Sequence, residues 1–197
     1  MKLQTKLLLM KETVSKEEFQ LHGELIELFS GENLEAAVGF TVQLLTLDDE
    51  GWPRIALLSV GEVLAVDDTT VRLALWPESR TTGNLIRSAQ GVLAFVHHEV
   101  AYTVRIRTVR LPDLNDPLAL AVFDGRVTEV RRDQVSYAVL QSGITFNLPD
   151  PPQVLTRWNA TIKQLRRHAP AGSFAQTDPE RDPGLERPVT SSPDNGQ

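Results

Sequence analysis

Four consecutive residues, Ser79-Arg80-Thr81-Thr82, gather a guanidinium and three hydroxyls at one point of the chain. Pro77 disfavours helical geometry at Trp76, so a helix is expected to start after it, with Ser79 as N-cap, residues 81–89 helical and Gly91 as the stop. The first turn of a helix has unpaired N–H groups and a partial positive charge, which together make an anion site. Arg80 could hold a phosphate in bidentate fashion. An arginine in a first turn works against the helix dipole, which is a reason to ask what it binds. Arg54 opens a neighbouring predicted strand and could add a second cation, and Ser59 at that strand's end could donate a further hydrogen bond. The competing reading is plain capping, because serine before a helix is a common N-cap.

The elements that must position these residues alternate between two periods. Ser15 and Glu18 have capping-box spacing, and Phe19, His22, Ile26 and Phe29 follow at helical spacing, with Gly31 free to close the helix. From residue 36 the period falls to two, with Val38, Phe40, Val42 and Leu44 on one face. Residues 48–51, Asp-Asp-Glu-Gly, predict a hairpin turn. The next strand runs from Pro53 to Ser59, a further one is expected over 62–66, and the next over 71–76. Residues 92–96 read as a buried strand, His97-His98-Glu99 as a turn and residues 102–111 as a strand with a bulge near Thr108. Residues 118–130 predict one long strand, or two broken at Asp124-Gly125. Asp133 is expected to cap a helix carrying Val135, Val139 and Leu140 and stopped by Gly143. Residues 149–152 read as a rigid connector before a last helix with Val154, Leu155, Trp158, Ile162 and Leu165, whose cationic end suits its dipole. Residues 1–14 read as an arm or a frayed end. The composition beyond residue 169 predicts a disordered tail over 170–197, leaving one domain over 1–169. Six or seven strands with few helices predict a mainly β fold, a small antiparallel barrel. A doubly wound sheet would need a helix after nearly every strand.

Composition narrows the function classes. A net charge of −6 argues against nucleic acid as partner, since such proteins carry a basic face. With no cysteine there is no disulfide, thiolate metal site or cysteine nucleophile, which fits a reducing cytoplasm. No apolar run approaches the ~18 residues of a membrane span, and residues 7–10 make a poor signal peptide.

Other candidates compete with structural readings. His97-His98 could ligate a metal or haem, but neighbours on a strand point to opposite faces, and an exposed turn explains the pair. Trp76 could stack on a planar ligand or pack at an interface. Tyr102 could reach a ligand but reads better as core. Arg105, Arg107 and Arg110 read as a solvated strand face, Trp158 as a packing anchor. Asp48-Asp49 and Asp67-Asp68 read as turn formers. No Ser/His/Asp nucleophile arrangement stands out.

The order of these parts resembles the pyridoxamine 5′-phosphate oxidase-like family of flavin-binding split barrels. The resembling pattern is Arg54, four apolar residues and Ser59, then a strand, then Ser79-Arg80 opening a helix, then an apolar strand. It spans roughly residues 34–130. The resemblance implies FMN as cofactor, held by Arg54, Ile55, Ala56, Leu57, Leu58 and Ser59 from the first strand. Ala74, Leu75 and Trp76 would face the ring and ribityl chain, and Ser79, Arg80 and Thr81 the phosphate. It also implies a homodimer with flavin at the subunit interface, and an oxidoreductase drawing on a nicotinamide or other small reductant. A second implied reading is a barrel that stores or senses flavin, F420 or haem without turnover; a third is an empty scaffold. The sequence departs from the family where Ser59 and Thr81 replace lysines, and the family's C-terminal Arg- and Trp-rich motif is not recognisable. A pyridoxamine phosphate oxidase proper is therefore not the expectation. A flavin chemistry would also explain why no acid–base pair stands out, because the cofactor carries the reaction.

Overall fold

A computed structural model describes residues 16–114 and 117–168. The strands are β1 (Lys16–Glu18), β2 (Thr41–Leu47), β3 (Pro53–Ser59), β4 (Val63–Ala65), β5 (Thr70–Leu75), β6 (Gln90–His97), β7 (Val100–Leu111) and β8 (Ala121–Asp133). The helices are α1 (Gly23–Leu28), α2 (Arg80–Ser88) and α3 (Pro151–Arg167). All strand pairs are antiparallel, in the order β3-β2-β6-β7-β8-β5-β4, with β1 added to β8. The two ends of that path meet, because β3 and β4 are consecutive in the chain. The Glu62 N–H donates to the Ser59 carbonyl to make a tight turn, and the Glu62 carbonyl accepts from the Ala74 N–H of β5. The sheet is therefore a curled half-barrel, mostly β.

Alternation along the strands builds two cores. Inside the curl lie Val42, Leu44, Leu58, Leu73, Leu93, Phe95, Ile106 and Phe123. Leu25 of α1 and its C-cap Phe29 join them near Phe95, where the Phe29 and Phe95 rings meet edge to face, and Leu85 of α2 joins them near Gly91. Outside the curl, Trp158, Ile162 and Leu165 of α3 cover Ala74, Val122, Leu111 and Val60. At ~1.5–3 kcal/mol per buried side chain, both faces of β5 contribute to stability.

Several sequence expectations are corrected. Residues 16–18 are not the first turn of a helix: they pair with 130–132 of β8, since an open strand edge satisfies their backbone better than one helical turn. The helix is only Gly23–Leu28, its N-cap His22 makes no side-chain cap bond, and Ser15 lies outside the described residues. β2 begins at Thr41, not near 36, because residues 35–39 form turns. α2 ends at Ala89 in the left-handed conformation (φ 52), and Gly91 sits inside β6. The bulge falls between Arg105 and Ile106 opposite an extra residue, Thr128, on β8. β8 runs unbroken through Gly125, where a Cβ would lie 3.0 Å from Ile106. The helix expected after Asp133 does not form over residues 134–143. Tyr137 and Val139 remain exposed, and a short helix without an apolar face to bury is not stable. Asp150 caps α3 by accepting from the Gln153 N–H, so two of the three prolines of the expected connector, Pro151 and Pro152, become its first turn. The expected arm over 1–14 and tail over 170–197 lie outside the described residues.

Candidate functional site

The mouth of α2 folds as its residue types dictate. Ser79 is extended, and its Oγ accepts from the Thr82 N–H at 3.1 Å. The same hydroxyl donates to Thr82 Oγ1, which donates to the Trp76 carbonyl at 2.7 Å. The Ser79 carbonyl accepts from the Gly83 N–H. Two first-turn donors, the N–H groups of Arg80 and Thr81, have no partner among the described residues. The Arg80 side chain is exposed and also without an ion pair there. A hollow of ≈ 390 Å³ lined by Trp76, Pro77, Glu78 and Ser79 lies beside this turn.

β3 is an edge strand, paired with β2 alone. Its alternate residues divide between two faces. Arg54, opposite Thr46, lies on the same face as Ala56 and the buried Leu58. α2 packs on β2 and β3: Asn84 Nδ2 donates to Thr46 Oγ1 at 3.0 Å, and Arg87 Nη2 donates to the Leu47 carbonyl at 2.6 Å. Arg54 therefore sits across the β2–β3 pair from the Thr46 that Asn84 of α2 engages. Its Nε donates to Asp48 Oδ2 at 2.8 Å. The Asp48 carboxyl is held below the ordinary range by the N–H of Trp52, and then by Arg54 and the N–H of Glu50. Ile55 and Leu57 point the other way and are 59% and 56% exposed.

The expected site set is thus only partly assembled. Trp76, Ser79, Arg80 and Thr81 are neighbours at the mouth of α2, and Arg54 lies on β3, against which α2 packs. Ser79 spends its hydroxyl on the cap. Ser59 Oγ donates to Glu62 Oε2 at 2.8 Å inside the closing turn, ~17 Å along the strand from Arg54. Ala74 and Leu75 are buried, Ala74 under α3 and Leu75 inside the curl, and their backbones pair with Val122 and Ala121. Of that stretch only Trp76 is at the surface, 58% exposed.

Two charged clusters were not legible in the sequence. Tyr102 Oη donates to Glu24 at the end of the barrel where β6 turns into β7, and Arg132 and His98 approach the same carboxylate at 3.7 Å each. The Tyr102 hydrogen bond, then Arg132 and the histidines, hold Glu24 below the ordinary range, while burial and Glu24 push Tyr102 up to about 12. The rings of His97 and His98 stack at 3.9 Å, and His98 and Glu99 form a left-handed two-residue turn. Burial, then His98, lowers His97. Among the described residues no group of three or more His, Cys, Asp or Glu is placed to hold a metal ion, and no helix is long and apolar enough to cross a membrane. The second cluster is Arg72 with Asp124, buried between β5 and β8 at 2.6 and 2.9 Å. A charge in an apolar run, 52 residues from its partner, has no local signal.

No family model matches the chain. YclD of Bacillus subtilis (strain 168), an uncharacterized protein, is 33% identical over 144 residues, covering 73% of this chain and 94% of YclD. The chain belongs to the YclD family. Similar solved structures include a candidate pyridoxamine 5′-phosphate oxidase of Lactobacillus delbrueckii, 18% identical, covering 57% of this chain and 94% of that one, TM-score 0.47. An FMN-binding protein of Syntrophomonas wolfei is 18% identical over 55% and 86% of the two chains, TM-score 0.40. An F420 reductase is 14% identical over 50% and 96%, TM-score 0.41. Such structural neighbours are split-barrel proteins of the kind the sequence resembles. Their TM-scores lie below 0.5, and the fold of this YclD-family chain is defined by its own strand order.

Proposed function

We propose that this chain is an FMN-binding oxidoreductase of the split-barrel type, working as a homodimer with flavin at the subunit interface. The observation that carries the reading is the mouth of α2 with the hollow beside Trp76 and Ser79. There, unpaired backbone donors, an unpaired guanidinium and an exposed indole stand together. Arg80 and the N–H groups of Arg80 and Thr81 would take the phosphate. Arg54 would add a second cation by leaving Asp48, an exposed pair of small intrinsic worth. The open backbone edge of β3, from Ile55 to Leu58, offers donors and acceptors to a polar ring system, and Trp76 offers a stacking face. Ser79 serves this site by capping the turn, while Ser59, Ala74 and Leu75 lie outside it. Bound flavin supplies hydride and electron transfer, and the chain supplies position and charge.

The dimer is supported by the outer face of the sheet. Leu45, Ile55 and Val92 form one cross-strand row, and Leu57 and Ala94 flank Gln43 in the next. Trp52 and Leu47 extend this apolar surface at the hairpin. A face of this kind at a sheet edge calls for a partner, and a second copy would also complete the flavin groove. The test is a titration of the purified protein with FMN, followed by addition of NADPH. Flavin bands that appear and bleach are the expected result. Bands that do not bleach would move the reading to flavin storage or sensing. A protein that takes up no FMN would overturn it.

A further inference from the structure

A second hollow shares no residue with the one beside Trp76. It lies over the last turns of α3, has a volume of ≈ 460 Å³, and is lined by Asn159, Ile162, Lys163, Arg166 and Arg167 and by Gly31. Three cations line it and no carboxylate does. Cations suit a helix C-terminus wherever they point, so the dipole accounts for their presence but not for their convergence. Positions 159, 163, 166 and 167 recur at the three- and four-residue spacing of one helix face, and Gly31, after α1, supplies the wall that α3 does not.

These walls are held in place. Gly31, at φ +73, presses so near Ile162 that a Cβ would lie 2.5 Å from its Cγ2, and its N–H makes no hydrogen bond among the described residues. Arg166 Nη2 donates to the Ser30 carbonyl at 2.7 Å and comes within 3.7 Å of the exposed Glu32, which leaves further donors on a guanidinium that has five. Arg72 Nη1 donates to the carbonyls of Leu165 at 2.7 Å and His168 at 3.0 Å, fixing the last turn of α3. Lys163 and Arg167 are exposed and have no ion pair among the described residues.

Three positive charges with one carboxylate in reach leave the hollow positive, and a bound anion relieves their repulsion. Lys163 and Arg167 stand one turn apart, ~6 Å along the axis. That spacing fits two linked phosphate groups, each meeting one cation, with Arg166 alongside to take one of them in bidentate fashion. The volume falls within the range of small-molecule sites, ~300–1,000 Å³, so free diphosphate and a nucleoside diphosphate are both of a size to enter.

We infer that this hollow binds a diphosphate group, held by Lys163, Arg166 and Arg167 with the Gly31 N–H as a backbone donor. The site is independent of the flavin reading and stands or falls separately from it.

The sequence supplies a residue-specific test, because Lys163 is the single lysine after Lys16. The full chain is acetylated with limiting reagent, with inorganic pyrophosphate, with ADP, or with chloride at equal ionic strength, and mass spectrometry reads the rate at each lysine. At about ten times the half-protecting concentration of pyrophosphate, mass action should slow acetylation of Lys163 roughly tenfold, while Lys2, Lys6, Lys11 and Lys16 react as they do in chloride. Arg167→Gln should raise the half-protecting concentration roughly tenfold, the effect of one charged hydrogen bond. Arg157→Gln makes the same charge change on α3 outside the hollow and should leave it unchanged. Protection by ADP at lower concentration than pyrophosphate assigns the hollow to a nucleotide, and equal protection to free diphosphate; either bears the inference out. No protection of Lys163 by either probe, equal protection of all five lysines, or equal losses in Arg157→Gln and Arg167→Gln would overturn it.

Discussion

At the scale of the residue, the decisive side chain is Arg80. It stands in the first turn of α2, where the dipole opposes a cation, and no described carboxylate balances it. Arg80→Ala is expected to weaken FMN binding by ~1.5–3 kcal/mol, the worth of a charged hydrogen bond, with the fold unchanged. Fluorescence titration of FMN checks it, and unchanged affinity would remove Arg80 from the site. Ser79→Ala should act differently, costing ~1 kcal/mol of stability through the lost cap. Glu24 carries a pH prediction. Its folded pKa is depressed by Tyr102 first, then Arg132 and the histidines, so its contribution is complete above the unfolded pKa and disappears as pH falls through the folded one. The facing groups are Tyr102, Arg132, His98 and His97. The melting temperature should decline from about pH 5 downwards, and Glu24→Gln should flatten that decline. A wild-type slope retained in the variant would exclude Glu24 as its source.

Helix α3 shows what an element owes to a distant strand. Its apolar stripe is readable in sequence, and Trp158, Ile162 and Leu165 are buried as their spacing implies. What anchors its end is Arg72, which reaches through the outer face of β5 to the carbonyls of Leu165 and His168 while paired with Asp124. Removing one partner of a buried pair leaves a charge in an apolar site, at a cost of ~3–5 kcal/mol. Asp124→Ala should therefore lower stability by that amount in urea denaturation and expose α3 to proteolysis before the barrel. Loss of less than ~1 kcal/mol would show the pair to be replaceable.

The whole molecule presents an apolar sheet face that one chain does not cover. Ile55 and Leu57 belong to it, and neither touches the core that α2 closes. Ile55→Glu/Leu57→Glu should leave a folded monomer where the wild type sediments as a dimer. FMN affinity should fall with it if, as proposed, the flavin is held at the subunit interface. A variant that remains dimeric, or a wild type that is monomeric at all concentrations, would sink that expectation.

Much of the architecture was decided locally. Alternation in β2 and β7, the apolar runs of β3 and β6, the Pro77 break, the Ser79 cap and the amphipathic stripe of α3 each follow from residue types within a few positions, so strands, turns and two helices could be read in order. The members of the proposed flavin site were legible as a list, because Arg54, Ser79 and Arg80 sit at element ends whose chemistry is local. Tertiary structure decided which members of that list meet. The register of β2 against β3 put Arg54 beside α2 and left Ser59 to Glu62. Edge pairing with β8 turned residues 16–18 from helix to strand, and the lack of a surface to cover left residues 134–143 without a helix. The Arg72–Asp124 and Glu24–Tyr102 contacts join residues 52 and 78 positions apart. Strand order alone brings such partners together, and no short window of sequence records it.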